Sequence, residues 1–561
     1  MSGNETADVI YRGGNIVTMV DDKRTVEAIA VADGRILATG EEDYVMRTRG
    51  DETLVVDLAG KTLLPSFIDS HGHFMNAPQV VKWANCQGVP AGPISKIADF
   101  WPVLEEHVAK LGIKPGEWII GYGYDRSNLE EARELTAEEI DEHFPDNPVM
   151  LIHSSNHGAV LNAKAFEWAG YDETTETPPG GLIVRKEGSN EPAGFIMETA
   201  FLPIFGNMPK PSERELLDTL DQGQQIYASA GVTTCSEGGT HAADLAFLRK
   251  GAEEGLLYLD VVSLPLIFEV PALMKEYFPS FGGDGIADEA PDAFGHYRNH
   301  LKVQGIKFHM DGSPQGKTAF WTEPLLTPGP AGEENHRGQP LFPPETVNKA
   351  LAEVYAKGIP IFIHANGDAA IDMAIDGLRA AGATAADDRR TVIIHSQCMR
   401  PDQLDAYAEL GFSPSFFTAH CFYWGDEHRA NLGEERASFL SPMKSALAKG
   451  LRCSNHTDFS VSPMEPLRVM WTSLVRTSKS GVVVGPDERV DRWQALRALT
   501  IDAAWQIREE DEKGTIEAGK LADLVILDGN PLEVDVDAIP DIPVVETIKE
   551  GVVVYPRGDG S

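Results

Sequence analysis

Cysteine is scarce in this chain of 561 residues: there are five, at positions 86, 235, 398, 421 and 453, with no CxxC pair among them. An odd, scattered set of that kind excludes a disulfide framework and a thiolate zinc knuckle, and it points to reduced thiols. Long apolar runs are missing too. Nothing approaches the ~18 consecutive apolar residues of a membrane helix, so no bilayer-spanning segment is expected. The opening residues Met1-Ser2-Gly3-Asn4-Glu5-Thr6-Ala7-Asp8 carry neither a basic stretch nor an apolar core, so no secretory leader is read there and a cytoplasmic location is expected. Basic residues are also short: Lys plus Arg number 48 against 86 Asp plus Glu, a net charge of −38. Such a field repels nucleic acid and anionic lipid, and neither is expected as a partner. No GxGxxG follows an early strand, which weakens the dinucleotide-binding version of an open doubly wound α/β sheet, the main rival architecture for this chain.

A chain of this length exceeds one ordinary hydrophobic core, so two domains are expected. Short β-type runs at 9–14, 16–19, 27–31 and 35–38 alternate with turns, and the far end repeats that texture at 524–528 and 544–555. The two ends are therefore expected to pair as a small β-sandwich domain of residues 1–62 and 510–561. Between them lie eight β-rich runs, at 62–70, 232–234, 257–262, 303–308, 359–363, 391–394, 412–416 and 451–454. Strands alternating with helical stretches imply a parallel sheet and the α/β class. Eight units fit a closed (β/α)8 TIM-type barrel over 63–509, with its active site at the C-terminal strand ends. The long stretch after the first run has its own strand candidates at 118–121 and 148–152. It reads as an insertion at about 78–225 that caps the barrel mouth.

The first of those runs ends on His71-Gly72-His73. Side chains alternate along a strand, so residues two apart point the same way; both imidazoles can hold one metal ion while Gly72 leaves room. A single strand-end histidine is usually a packed or hydrogen-bonded residue. Here the pattern recurs: Lys307 follows 303–306, His364 follows 361–363, His395 follows 392–394, and Asp458 lies just beyond 451–454. Four imidazoles, a carboxylate and a lysine make a ligand set for two divalent ions with a bridging hydroxide, zinc being the default for so imidazole-rich a site. The lysine enters as a carbamate: burial and nearby cations neutralise its amine, and carbon dioxide turns it into an anionic two-oxygen bridge. Asp458 would accept the proton of the attacking water and return it to the leaving group. No acidic residue is read at a place where it would replace Lys307, which favours two ions; a single-ion, deaminase-like site follows if Lys307 stays unmodified.

The segments 65–73, 307–313, 364–368, 394–397 and 514–525 together resemble the amidohydrolase superfamily of metal-dependent hydrolases, and within it the branch that includes N-substituted formamide deformylase. The resemblance covers nearly the whole chain. It implies that His71, His73 and Asp458 hold the more buried ion, that His364 and His395 hold the more exposed one, and that Lys307 bridges them as a carbamate. It also implies that residues 154–158 lie over the site, where His157 would hydrogen-bond a substrate carbonyl. The run 416–426 follows the seventh strand, so His420, Tyr423 and Trp424 are candidates for a substrate pocket, and Tyr124, in Gly121-Tyr122-Gly123-Tyr124-Asp125, for a substrate wall. His456, two before Asp458, shares its side of a strand and reads as structural.

The expected reaction is hydrolysis of a C–N bond in an amide or N-formyl-type small molecule by a metal-bridged hydroxide, with Asp458 as proton shuttle and His157 and His395 beside the reacting group. The same centre suits a lactone, an ester or a cyclic amidine. A reading from another class is a non-catalytic, metal-binding regulatory protein. A homodimer is the base-rate expectation for assembly.

Overall fold

The computed structural model describes residues 6–154, 156, 158–178, 181–208, 212–270, 294–330 and 332–556. By contact the chain divides into two compact units. One comprises Met1–Phe74, Gln224–Asp458 and Met464–Ser561; the other comprises Met75–Gly223 and Phe459–Pro463. All five cysteines are buried and free. Among the described residues no helix is long and apolar enough to cross a membrane.

In the first unit both ends of the chain share one eight-stranded sheet. Its order is Val552–Tyr555, Val544–Lys549, Leu524–Leu527, Thr62–Pro65, Val9–Val17, Thr25–Ala32 and Arg35–Gly40, with Leu54–Asp57 pairing alongside Val9–Val17. Alternate apolar side chains, among them Ile16, Ile29, Leu63, Leu524 and Ile548, gather on one core, which is the period-two pattern a half-buried strand requires.

Two five-stranded sheets hold the rest of the strands. Phe67–Asp69, Val232–Thr240, Asp260–Pro265 and Leu301–Val303 pair in parallel in the first, with Tyr297–Arg298 antiparallel at its edge. Ile306–His309, Ile361–Ala365, Thr391–His395, Phe412–Phe416 and Ser454–Asn455 pair in parallel in the second. Helices Ala242–Glu253, Pro344–Ala356, Asp368–Ala380 and Pro401–Leu410 connect successive strands, the crossover that parallel pairing demands. Strands such as Thr391–His395 are buried at every residue, which is why they read as unbroken apolar runs rather than alternating ones.

The run expected at 303–308 is two strands. Gln304 N–H donates to Ser263 O at 3.1 Å, whereas Ile306 N–H donates to Pro360 O at 2.9 Å, so the chain changes sheets within two residues. Gly305 permits it: a Cβ there would stand 2.5 Å from Pro360 O. At the other edges, Asp69 accepts hydrogen bonds from Thr457 N–H and Thr457 Oγ1, both at 2.9 Å, and Asp458 N–H donates to His71 O at 3.1 Å.

The second unit is built on a six-stranded mixed sheet ordered Gly181–Arg185, Pro192–Glu198, Gly158–Leu161, Val149–His153, Ile119–Tyr124 and Ala84–Asn85. It carries its own apolar clusters, one around Phe100, Leu104 and Leu151, another around Met150, Phe166 and Phe201.

A buried ion network fastens the terminal sheet to the parallel strands. Lys549 Nζ lies 2.8 Å from Asp260 and 3.0 Å from Asp523; Lys513 pairs with Asp260 and, at 2.7 Å, with Glu509; Lys302 pairs with Glu509. Burial alone would push the Asp260 carboxyl up, but the Lys513 and Lys549 ammonium groups outweigh it and hold it well below the usual carboxylate range. Its folded pKa is therefore below its unfolded one, so its contribution to stability is complete above about pH 4 and is lost as pH falls further. Lys549→Met strands the buried Asp523 carboxylate, takes one of two ammonium partners from Asp260, and is expected to lower the unfolding free energy by ~3–5 kcal/mol in urea melts at pH 7. Wild-type midpoints measured in the same assay are expected to fall as the buffer is taken below about pH 4.

Candidate metal centre

The chain reaches the centre by passing straight from one sheet to another. Thr62–Pro65 pairs antiparallel with Leu524–Leu527, and Phe67–Asp69 pairs in parallel with Val232–Thr240, leaving Ser70, His71, Gly72 and His73 at the strand end. His71 is 1% exposed. Its Nε2 lies 3.5 Å from Asp458 Oδ1, and His73 Nε2 lies 3.6 Å from the same oxygen. The ring of His71 is 5.2 Å from that of His395, whose Nε2 is 3.1 Å from His364 Nδ1. The strand-end residues His71, His73, His364, His395 and Asp458, which are far apart in sequence, are thus neighbours.

Lys307 is buried among them. Burial lowers its ammonium to about 7, against the opposing charges of Asp458 and Glu237, and Lys307 in turn acts electrostatically on His71, His73, His364 and His395. A lysine that is substantially neutral near pH 7 is what reaction with carbon dioxide requires. Burial pushes His71, His364 and His395 well below the ordinary histidine value, so each ring keeps a lone pair. His73 differs: burial lowers it, but the carboxylates of Glu237 and Asp458 outweigh that and raise it. Burial raises the Asp458 carboxyl, opposed by His73 and Lys307.

These residues fit a divalent ion. One nitrogen each of His71 and His395 and one oxygen of Asp458 lie within 4.8 Å of one another. His71 Nδ1 and Asp458 Oδ1 are buried without a hydrogen bond, a costly condition that a cation's coordination would relieve. His395 and Asp458 also adopt left-handed backbone, at φ +71° and +53°. Strain of that sort in non-glycine residues persists where surrounding packing holds a side chain to one aim.

Three further residues belong to this neighbourhood. Glu237, 3% exposed on the strand Val232–Thr240, places Oε1 3.8 Å from His73 Nδ1. His309 packs its ring 3.9 Å from that of His364. His456 was expected beside Asp458, but its Nε2 lies 3.2 Å from His395 Nδ1 instead. The strand ends at Asn455 and the left-handed turn at Asp458 breaks the alternation on which that expectation rested. His364 is steadied from behind, its Nε2 3.3 Å from Gly312 O and 3.0 Å from Asn366 Nδ2. Asp311 anchors this turn by accepting Asn366 N–H at 2.9 Å and Gly367 N–H at 2.8 Å.

The pocket candidates separate into two groups. His420 and Trp424 pack at a tilt of 47° with ring centroids 4.7 Å apart, Tyr423 lies 5.6 Å from Trp424, and Phe417 joins His420 at 4.7 Å to His456 at 5.2 Å. His420 Nδ1 is held 2.9 Å from His428 Nε2. Tyr124 sits in the core of the second unit, where its hydroxyl donates to Glu134 at 2.8 Å and accepts Leu135 N–H at 3.0 Å. His157 lies outside the described residues.

A family model described as "Amidohydrolase family" matches residues 54–555 of this chain. The N-substituted formamide deformylase of Arthrobacter pascens is 26% identical over 98% of this chain and 98% of its own. The putative amidohydrolase YtcJ of Bacillus subtilis (strain 168) is 25% identical over 98% and 99%. Among solved structures, an uncharacterized metal-dependent hydrolase from Pyrococcus furiosus superposes with a TM-score of 0.70 at 23% identity, covering 94% of this chain and 100% of the other.

The glycines that follow Glu237 test the packing. A Cβ on Gly238 would stand 2.2 Å from His71 Cε1, while one on Gly239 meets nothing closer than 3.8 Å. Gly238→Ala is expected to cut bound metal, measured by elemental analysis of the purified chain, at least tenfold, and Gly239→Ala to leave it unchanged.

Proposed function

Because the chain belongs to the amidohydrolase family of metal-dependent hydrolases, we propose that it cleaves a C–N bond in an amide or N-formyl-type small molecule. The observation that carries this reading is the buried Asp458 oxygen without a hydrogen bond, facing His71 and His73 at the ends of the parallel strands. The full-length similarity to a formamide deformylase supports the choice of bond.

His71, His73 and Asp458 are the residues that would hold one divalent ion and His364 and His395 a second, with Lys307 as a carbamate between them. Zinc is the default for such donors. Bound there, these ions supply Lewis acidity that polarises a carbonyl and makes water nucleophilic near neutral pH. Asp458 does the proton work. Its burial-raised carboxyl is a stronger base than an exposed aspartate; with Oδ1 facing His71 and His73 and left to the cation, Oδ2 takes the proton of the attacking water and hands it to the departing nitrogen. Glu237 orients His73, and Gly312 and Asn366 orient His364, so the centre is arranged before substrate arrives. His420, Tyr423 and Trp424 form the apolar wall that receives the acyl substituent.

This reading takes the two parallel sheets as halves of one closed barrel and the terminal sheet as part of a small sandwich. The sheet change at Gln304–Ile306, the parallel bridge of Leu266 with Lys307, and the hydrogen bonds of Asp69 with Thr457 support closure.

A panel of amides, N-substituted formamides, lactones and cyclic amidines tests the bond class, with turnover expected on the first two. Asp458→Asn is expected to retain metal and lose ~100-fold or more in kcat. Equal turnover in wild type and variant removes Asp458 as the base.

A further inference from the structure

Behind His395, on the side away from His364, a line of polar side chains runs through the protein interior. His395 Nδ1 lies 3.2 Å from His456 Nε2, and His456 Nδ1 lies 2.9 Å from Ser415 Oγ. Ser415 Oγ lies 2.8 Å from Ser454 Oγ, which lies 2.5 Å from Gln506 Oε1. All five residues are at most 3% exposed, so no solvent competes for these contacts.

Counting protons gives the line a direction. Gln506 Nε2 sits 2.9 Å from the carbonyl oxygen of Pro414 and 2.6 Å from Ser413 Oγ, whose own proton goes to Arg452 O at 2.7 Å. The amide nitrogen must therefore face Pro414, and Gln506 Oε1 must face Ser454. Oε1 can only accept, so it takes the single hydroxyl proton of Ser454. The 2.8 Å contact between Ser454 and Ser415 then needs the proton of Ser415; Ser70 Oγ, 2.8 Å from Ser454 and 3.2 Å from Ser415, spends its own proton on the nearer oxygen, that of Ser454. With its proton spent, Ser415 can only accept from His456, which places a hydrogen on His456 Nδ1 and leaves Nε2 bare. The bare Nε2 of His456 accepts in turn from His395 Nδ1.

We infer that Gln506, Ser454, Ser415 and His456 form a positioning relay that holds His395 as its Nδ1–H tautomer and presents the Nε2 lone pair to the metal centre. The inference rests on the reading of His395 as a metal ligand. His456 is a positioning residue in this scheme, acting on the ion only through His395; an outer partner of this kind typically sets metal affinity by 10–100-fold. The mechanism explains why a buried imidazole lies 3.2 Å from another, a contact that is favourable only when one ring donates and the other accepts.

Three full-length proteins test it: wild type, His456→Gln and His456→Phe. Zinc affinity is measured by competition with a chromophoric chelator, and thermal midpoints are recorded on the metal-free chains. The Gln amide oxygen can accept from His395 Nδ1–H, so His456→Gln is expected to bind zinc within about threefold of wild type and His456→Phe 10–100-fold more weakly. If His456→Phe binds as tightly as wild type, or if both variants weaken by the same factor, the relay is overturned. Should His456→Phe fail to fold, Ser415→Ala replaces it with the same expected loss. Selective 15N labelling of histidine in the metal-free wild type reads the tautomer directly: a hydrogen on His395 Nδ1 is expected, and a hydrogen on Nε2 overturns the inference. Wild type that takes up no zinc while showing the Nδ1–H tautomer would sink the proposed metal centre and leave the relay standing.

Discussion

Exclusion of water from a cluster of imidazoles is the constraint on which the rest of this structure depends. His71, His364, His395 and His456 are packed so closely, and so far from solvent, that none of them holds a proton beyond its neutral complement. In that state each ring has a lone pair that needs a partner. His395 finds partners on both sides, in His364 and His456, whereas His71 Nδ1 and Asp458 Oδ1 find no hydrogen-bond partner among the described residues. A fold tolerates such unsatisfied groups only where something else in the molecule compensates for them, and where their function requires that they be left open.

The compensation is visible at the other end of the same strands. Asp260 stands at the start of Asp260–Pro265, and around it three ammonium groups, those of Lys302, Lys513 and Lys549, meet three carboxylates, those of Asp260, Glu509 and Asp523. Every charge in that network has an opposite within reach. The two polar clusters thus contrast: one is balanced and holds the terminal sheet to the parallel strands, the other leaves buried polar atoms unpaired among the described residues. Parallel pairing is what allows the contrast, since it collects all strand starts on one side and all strand ends on the other.

How much of this could be read from residues alone varied with the kind of signal. His71, His364 and His395 each close an apolar run, with His73 two residues beyond His71, and a polar residue at such a boundary is conspicuous because buried parallel strands leave so few others; Lys307 stands out by interrupting the strand Ile306–His309 between Ile306 and Phe308. Glu237 lies inside the strand Val232–Thr240, and the residues before it, Thr233-Thr234-Cys235-Ser236, are mostly polar, so nothing in the sequence marks it. His309 is unmarked because it follows Lys307 by two and looks like mere alternation. The division at Gly305 left no trace, since Val303 and Ile306 continue one apolar pattern across it. The ion network was illegible for a deeper reason. Its members at 260, 302, 509, 513, 523 and 549 share no local spacing, and only the tertiary fold brings them together. The same holds for the relay from Gln506 to His395.

Thr62–Pro65 lies between a strand from the beginning of the chain, Val9–Val17, and one from near its end, Leu524–Leu527. During synthesis, therefore, its second edge stays bare until the distant Leu524–Leu527 has emerged, and an open edge is an invitation to pair wrongly. The His-Gly-His claw is tethered to that very segment. Its final alignment must wait for Leu524–Leu527 to dock, so a chain released before that strand is made leaves His71 and His73 with nothing to brace them. In this topology, docking of Leu524–Leu527 and alignment of His71 and His73 become a single event.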